Sequence, residues 1–326
     1  MDPAIRSDDR PRTHGTPAIH SLDHFCLSVP DLAVARHFYT SFGLDVRDRA
    51  GALDLYTFGC DHRWATIVEG PVKRIEYLSF GAYAQDLDGF RARLQEEGIA
   101  LVDEGPHVTD EGLWFHDNDG RLLQIRVTAK SSPDAKSVVT YASSAPGVRG
   151  THTRAEQTTV HPRRLAHILM HTLALDESIA FYEHVLGLRL SDKAEVVAFL
   201  HGIHGSDHHL IAFAQSNGTG MHHSSWDVGS IADVGVGAMQ MSQAGYPHGW
   251  GVGQHVLGSN FFYYVRDPWD SYAEYSCDID YVPADIEWRA GSFTADNGFY
   301  LWAPPPPDDF AHDYEPALTT RRTEPA

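Results

Sequence analysis

An internal duplication limits the folds that this sequence of 326 residues can adopt. In the first copy, His24 is followed by a Phe-Tyr pair that begins at Phe38. In the second copy, His167 is followed at the same distance of 14 residues by a Phe-Tyr pair that begins at Phe181. Matches that recur in order along a chain indicate repeated structural units. The chain is therefore predicted to hold two similar blocks.

Further matches extend the duplication. Asp117 precedes Gln124 by 7 residues, and Asp267 precedes Glu274 by the same 7 residues. Each block alternates strand-like segments, in which every second residue is apolar, with segments that have an acidic start and apolar residues at helical spacing. Each block is predicted to contain two strand–helix–strands modules, which gives four in the chain.

Composition marks the boundaries between these blocks. We predict a first block at residues 19–128, a linker at 129–162, a second block at 163–305 and a tail at 306–326. The linker is rich in Ser, Thr and Gly, which is typical of connecting segments. The tail begins within the run APPPP, which can form neither a helix nor a central strand because proline lacks the backbone N–H.

Charge and composition exclude several classes of function. The formal net charge of −19 disfavours a nucleic-acid partner, because neutralising phosphates requires a basic surface. No apolar stretch is long enough to predict a membrane span. The polar N-terminus lacks the apolar run of a secretion signal, and the 3 cysteines form no disulfide pattern. These features predict a cytoplasmic protein, in which the 21 histidines are unexplained.

Superposing the two copies suggests a metal site in the second block. The overlay pairs His24 with His167, Tyr77 with His223, and Gln124 with Glu274. Two imidazoles and one carboxylate on neighbouring strands are the facial triad of non-haem Fe(II) sites, which leaves coordination positions open. Any one of these residues could instead be a buried structural histidine or a solvated carboxylate. Three of them at matched positions favour the metal site, in the second block alone.

The second block resembles a known family. Its segments LAHILMHTLALDESIAFYEHVLGLRL, HHLIAFA, MHHSSWDV and GQHVLGSNFFYYVRDPWDSYAEY are similar to the type I extradiol (catechol 2,3-) dioxygenases of the vicinal oxygen chelate superfamily. The resemblance extends over residues 19–305. It implies an α+β fold of four βαβββ modules in two tandem domains, each a curved open sheet barrel with flanking helices. It also implies that the N-terminal domain is non-catalytic.

The resemblance assigns roles to individual residues. It implies that His167, His223 and Glu274 hold Fe(II), or occasionally Mn(II). The remaining implied roles are an acid–base residue at His209, catalytic and substrate-binding residues at His255 and Tyr264, and a pocket residue at Asn260. Strand phase adds His171 and Trp226 as candidate substrate-binding walls of the pocket. In the pairs His208-His209 and His222-His223, we expect only the second residue to face the site, because neighbouring strand residues point to opposite sides.

The implied activity is extradiol cleavage of a small catechol or trihydroxybenzene by O₂, in a homo-oligomer. The acidic charge favours a neutral phenol, although Arg266 and Arg289 lie in loops that could reach an anionic substrate. Two alternatives stay open within the superfamily. One is a metal-dependent isomerase or thiol transferase of the glyoxalase type, and the other is a non-catalytic protein that binds small molecules.

Overall fold

The computed structural model describes residues 16–141 and 143–315. The described residues form a 7-stranded sheet, a 10-stranded sheet and a small 2-stranded sheet. Within them, no helix has both the length and the apolar character needed to cross a bilayer. Residues 316–326 of the predicted tail lie outside the described residues.

The 7-stranded sheet is built from the first block. Its strands are β1 (Ser21–Val29), β2 (Asp45–Arg49), β3 (Ala52–Tyr56), β4 (Ala65–Glu69), β5 (Arg74–Ala82), β6 (Leu113–His116) and β7 (Leu122–Val127). They lie in the order β2-β3-β4-β1-β5-β7-β6. Helix α1 (Leu32–Ser41) follows β1, and helix α2 (Leu87–Glu96) follows β5 after a short 3₁₀ turn.

The 10-stranded sheet is built from the second block. Its strands are β8 (Arg164–Thr172), β9 (Arg189–Ala194), β10 (Val197–His201), β12 (Ile211–Gln215), β13 (Met221–Asp227), β14 (Gly249–His255), β15 (Phe261–Arg266), β16 (Tyr272–Cys277), β18 (Gly291–Phe293) and β19 (Tyr300–Trp302). The small sheet pairs β11 (Ser206–Asp207) with β17 (Tyr281–Val282). The helices are α3 (Leu175–Leu186), α4 (Ile231–Gln243) and the short α5 (Ala295–Gly298).

All four modules share one pairing rule. The first strand of each runs parallel to the last, in the pairs β1–β4, β5–β7, β8–β12 and β13–β16. Within each block the two first strands pair antiparallel, β1 with β5 and β8 with β13. The outermost strands of each sheet do not pair with each other, so both sheets are open. The predicted α+β fold of two tandem domains is confirmed.

The second module differs from the predicted βαβββ pattern. After α2 it has only the strands β6 and β7, and the preceding segment contributes one isolated bridge between Leu101 and Phe115. This segment contains Gly105, Pro106 and Gly112. Proline and glycine weaken strand pairing, which explains the missing strand.

The helix ends follow from local sequence. Asp31 caps α1 by accepting hydrogen bonds from the backbone N–H groups of Ala33 and Val34 at 2.7 and 3.0 Å. The predicted acidic start of α3 is Asp176, in its first turn. Helix α3 ends at Gly187 with φ of +73°, where a side chain would be strained and would collide with residue 18.

A buried ion pair joins the two blocks at the turn after β6. Arg121 Nη1 donates to Asp117 Oδ2 at 2.7 Å, and both side chains are shielded from solvent. Arg121 Nε also donates to the carbonyl of Thr219 in the second block at 3.0 Å. The Tyr182 hydroxyl donates to the same carboxylate from the other side at 2.9 Å. The buried Arg121–Asp117 ion pair therefore links the first block to the second through hydrogen bonds on both of its members.

Replacing this arginine should destabilise the fold. We expect Arg121→Met to lower the free energy of unfolding by about 3 kcal/mol, because the Asp117 carboxylate stays buried without its counter-charge. Urea unfolding followed by circular dichroism measures the change. Arg36→Met is the matched control, since the Arg36–Asp48 pair is exposed and should contribute little. Equal effects of the two substitutions would contradict the assignment.

His20 should make stability depend on pH. Burial is the main reason that its pKa is lowered from 6.5 to about 4. Between these values the unfolded chain holds a proton on His20 and the folded chain does not, so stability falls as pH falls through this window. The loss should approach about 1.4 kcal/mol per pH unit for this group. His20→Gln should lose less stability than the wild type between pH 6.5 and 4 in urea titrations; identical slopes would argue against a neutral, buried His20.

Candidate metal centre and its cavity

Three adjacent strands bring together the predicted triad. Ser225 on β13 lies opposite His167 on β8 and, on its other side, opposite Glu274 on β16. His223 precedes Ser225 by two residues and therefore lies on the same face of β13. All three triad side chains are buried, and Glu274 is fully inaccessible.

The potential ligand atoms of the triad face one another. His167 Nε2 and His223 Nε2 lie 3.4 and 3.6 Å from Glu274 Oε2, and 3.3 Å from each other. One ligand atom from each residue lies within 4.8 Å of the others. This is a compact set of two nitrogens and one oxygen, the donor set of a 2-His-1-carboxylate centre.

Buried polar atoms without hydrogen-bond partners indicate that the triad of the second block fits a cation. Glu274 Oε2 is buried and has no partner with hydrogen-bond geometry, and the Ser225 hydroxyl beside it is also buried and unpaired. Buried polar atoms normally have partners, and a carboxylate oxygen that lacks one is costly. A divalent cation between Glu274 and the two histidines would satisfy this oxygen.

The corresponding positions of the first block need no ion. The Ser79 hydroxyl, the counterpart of Ser225, donates to Gln124 Oε1 at 2.8 Å. His24 Nε2 lies 3.1 Å from the Tyr77 hydroxyl, while its Nδ1 bonds Asp23 at 2.8 Å. The side chains at these positions thus satisfy one another by hydrogen bonds without an ion, which agrees with Tyr77 and Gln124 being poor metal ligands.

Protonation states suit metal binding. Burial lowers the pKa of His223 well below its ordinary value, against the opposing effect of Glu274. Burial alone would raise the pKa of Glu274, but the neighbouring imidazoles of His167 and His255 hold it well below its ordinary value. At neutral pH the site therefore presents a neutral imidazole and a carboxylate, which are the forms that bind metals.

A chain of hydrogen bonds orients His223. His222 Nε2 lies 2.7 Å from the carbonyl of Phe310, so it carries the proton, and His222 Nδ1 is left as an acceptor. His223 Nδ1 lies 2.6 Å from that nitrogen and must donate to it. The bare nitrogen of His223 is then Nε2, which faces Glu274. This outer support is typical of metal-ligating histidines.

A cavity of about 370 Å³ opens beside the triad. Its polar lining includes the triad and four predicted site residues: His209, His255, Asn260 and Tyr264. Its apolar lining comes mainly from Leu169, Ala194, Val196, Val197, Phe199, Ala214, Leu257, Phe299, Pro306, Pro307, Phe310 and Ala311. The cavity has the size and mixed lining of a small-molecule site.

His255 and Tyr264 form one unit at the edge of the triad. His255 Nδ1 donates to the carbonyl of Phe299 at 3.0 Å, so Nε2 accepts the hydrogen bond from the Tyr264 hydroxyl at 3.0 Å. Tyr264 pairs with Glu274 across β15 and β16, and burial raises its pKa well above its ordinary value. Asn260 Nδ2 donates to Ser276 Oγ at 2.9 Å. The phenol is therefore a neutral donor held at the cavity wall.

Two predicted pocket residues do not line the cavity. Trp226 follows Ser225, keeps its register with Tyr275 of β16, and is fully buried in the hydrophobic core. His171 lies on the same strand as His167 but beyond Leu169, and its ring centre is 5.2 Å from that of His222, which does line the cavity. Neither of these side chains, both predicted from strand phase alone, lines the cavity.

One cavity residue was missed because the strand is irregular. The pairing of β13 with β8 shifts register between Met221 and His223, which makes a bulge at His222. A bulge breaks the alternation of side chains, so His222 lines the cavity together with His223. In the other pair His209 lines the cavity and His208 does not, although both lie between β11 and β12 rather than within a strand.

Comparisons with known proteins agree with this geometry. A protein-family model described as the Glyoxalase/Bleomycin resistance protein/Dioxygenase superfamily matches residues 21–125 and 164–275. The chain belongs to this superfamily. The first matched segment runs from β1 into β7 and the second from β8 into β16, so both blocks contain a superfamily unit. Among the described residues, the His/His/Glu set is found in the second unit.

Relatives within the superfamily include ring-cleaving enzymes. The chain is 44% identical over 314 residues to "Metapyrocatechase 2" of Cupriavidus necator, covering 96% of this chain and 98% of the relative. A structure of a homoprotocatechuate 2,3-dioxygenase variant from Brevibacterium fuscum matches with a TM-score of 0.74 at 20% identity, covering 95% of this chain and 86% of that one. A Mn(II)-bound glyoxalase from Novosphingobium aromaticivorans matches with a TM-score of 0.73 at 22% identity, covering 93% and 97%.

Changing the carboxylate should remove the metal site. We expect Glu274→Gln to weaken Mn(II) binding to the apoprotein by about 100-fold or more, because a neutral amide oxygen replaces the only anionic ligand. Anaerobic isothermal titration calorimetry measures this affinity. His24→Ala is the matched control, since it removes the equivalent histidine of the first block and should leave the affinity intact. The assignment fails if Glu274→Gln binds as tightly as the wild type.

Proposed function

We propose that the protein is an extradiol ring-cleaving dioxygenase that inserts both atoms of O₂ into a small aromatic diol. In this proposal His167, His223 and Glu274 hold Fe(II). The observation that carries it is a complete His/His/Glu set with an unpaired carboxylate oxygen, open to a cavity that His209, His255 and Tyr264 also line. The full-length similarity to a metapyrocatechase supports the same activity. A cytoplasmic homo-oligomer, predicted from the sequence, remains part of the proposal.

The protein's own residues would position the diol. Bound Fe(II) would supply the Lewis-acid and one-electron chemistry that lets a catechol react with O₂. His255 Nε2 lies 3.8 Å from Glu274 Oε1, which sets the His255–Tyr264 pair beside the triad. We assign this pair to hydrogen bonding of a diol oxygen. The carbonyl of Phe299 accepts the His255 Nδ1 proton, so the orientation of the His255 ring is set before substrate arrives.

His209 would hold and return the proton of the diol. Its ring lies 4.0 Å from that of His167 and 4.8 Å from that of Phe199, measured between ring centres. Burial lowers the pKa of His209 well below its ordinary value, so the ring is neutral at pH 7 and can take a proton. The proton would move to the ring nitrogen that is not bonded to His208, and from there back to the ring-opened product.

The cavity lining selects for a neutral, apolar diol. No described Lys or Arg lines the cavity, and its charged side chains besides the triad are Glu195 and Asp308. Arg266, a candidate for binding an anionic group, instead pairs with Asp309 at 2.6 Å and with the Tyr272 hydroxyl at 2.8 Å. A substrate carboxylate would therefore be buried without a counter-charge, at a cost of several kcal/mol. We propose catechols with alkyl or aryl substituents as the substrate class.

The experiment is a substrate panel with the Fe(II)-loaded protein. We expect catechol and 3-methylcatechol to consume O₂ in a 1:1 ratio and to give a yellow ring-opened product with two ¹⁸O atoms from ¹⁸O₂. For 3,4-dihydroxybenzoate we expect kcat/KM to be about 100-fold lower, because its carboxylate lacks a partner. His24→Ala should behave as the wild type.

The same panel separates the alternatives. A glyoxalase-type isomerase would convert a thiohemiacetal of methylglyoxal without consuming O₂, and a binding protein would bind catechol without turnover. Either result would overturn the proposed activity. Faster turnover of 3,4-dihydroxybenzoate than of 3-methylcatechol would overturn only the substrate class.

A further inference from the structure

A second chain of hydrogen bonds ends at His209. Asp192 Oδ2 on β9 lies 2.7 Å from His208 Nε2. His208 Nδ1 lies 3.0 Å from His209 Nδ1. His208 is fully buried, and Asp192 and His209 are nearly so. Asp192, His208 and His209 therefore form a continuous line from β9 to the cavity, and of these three residues His209 lines the cavity.

The outer members of this line are held rigidly. Asp192 Oδ1 accepts a hydrogen bond from the backbone N–H of Gly291 at 2.7 Å, which leaves Oδ2 for His208. The backbone N–H of His208 donates to the carbonyl of Asp280 at 2.6 Å. Gly258 closes over the pair: a Cβ at this position would lie 3.4 Å from His208 Nδ1 and 3.5 Å from the His209 ring. The line is thus packed and shielded from water.

The direction of each hydrogen bond follows from the carboxylate. A carboxylate only accepts, so the proton of a neutral His208 must be on Nε2. His208 Nδ1 is then an acceptor, and His209 Nδ1, which lies against it, must be the donor. A neutral imidazole carries one ring proton, so His209 Nε2 is bare. No hydrogen bond from a described residue reaches that nitrogen.

We propose that Asp192 and His208 are positioning residues that fix His209 as the Nδ1–H tautomer, with its basic Nε2 available to the substrate. The tautomer itself is independent of the reaction, whereas its kinetic consequence rests on the proposed function. Without Asp192, the proton between the two Nδ1 atoms could belong to either His208 or His209. If His208 held that proton, the proton of His209 would be on Nε2. His209 would then present an N–H to the diol and could not accept the proton of the diol.

The His222–His223 pair shows the same arrangement at the metal triad. There too two adjacent histidines meet through their Nδ1 atoms, and the outer ring is anchored through Nε2 by an acceptor, the carbonyl of Phe310. In both pairs the inner ring keeps its Nε2 lone pair. The Nε2 lone pair of His223 would bind the metal ion, and that of His209 would accept the proton of the diol.

Asp192→Asn provides the test, because the Gly291 N–H would keep the amide oxygen and turn the NH₂ group towards His208. This reverses the line: His208 Nε2 becomes an acceptor, and His209 acquires its proton on Nε2. An Asn in place of a tautomer-setting Asp has this effect in a serine protease triad. We expect long-range ¹H–¹⁵N spectra of the full-length, metal-free, ¹⁵N-histidine-labelled protein to show a bare His209 Nε2 in the wild type and a protonated one in Asp192→Asn. His209→Gln assigns the signals.

Kinetics of the Fe(II)-loaded protein with 3-methylcatechol supply the second readout. We expect Asp192→Asn to lower kcat by about 100-fold with KM changed less than about 3-fold, because the substrate still binds but its proton is not taken. Asp192→Glu restores the carboxylate and should recover most of kcat and the wild-type tautomer. The matched control is Asp23→Asn, which alters a buried Asp–His pair in the first block and should change neither readout.

Each outcome decides the proposal. A wild-type His209 that carries its proton on Nε2, as it would beside a doubly protonated His208, overturns it before any variant is made. A reversed tautomer with unchanged kcat overturns the assignment of positioning roles. If the wild type shows the expected tautomer but cleaves no catechol, the proposed function fails while the tautomer assignment stands.

Discussion

The pairing of β13 between β8 and β16 is the constraint on which the site depends. Ser225 lies opposite His167 on one side and Glu274 on the other, so one row of paired residues spans three strands. Because opposed residues of paired strands point to the same face, the ligands meet without any loop having to place them. The pairing shared by all four modules gives β13 both of its neighbours. It runs antiparallel to β8, the first strand of the preceding module, and parallel to β16, the last strand of its own module. Rigid strands suit a site whose ligand atoms lie within 4.8 Å of one another.

The first block has the same arrangement of paired strands but needs no ion to satisfy its polar groups. His24, Ser79 and Gln124 occupy the matching row across β1, β5 and β7. There the polar groups bond to one another, with Ser79 donating to Gln124 and His24 beside Tyr77. The polar groups of this row are therefore paired without an ion. The row of the second block has the carboxylate of Glu274 where the first block has Gln124. This difference explains why the second row fits a cation and the first does not.

Much of the site could be predicted from the sequence because it depends on regular structure. The duplication located His167, His223 and Glu274, and strand alternation together with the family resemblance selected His209 over His208. The same alternation failed at His222, since a bulge has no reliable signal in one sequence. Phe310 was missed for a related reason: the Pro-rich segment that carries it has no periodicity from which to infer what it packs against.

The position of Phe310 in the chain has a consequence for biosynthesis. Its carbonyl fixes the orientation of His222, which in turn orients His223, yet it follows every strand of both sheets in sequence. During translation the strands that carry the triad leave the ribosome before the segment that orients one of its histidines. A nascent chain could thus acquire its three ligands before the hydrogen bond that settles their geometry. Loading of the correct ion would then belong to the last stage of folding, after the chain beyond β19 has wrapped onto the sheet.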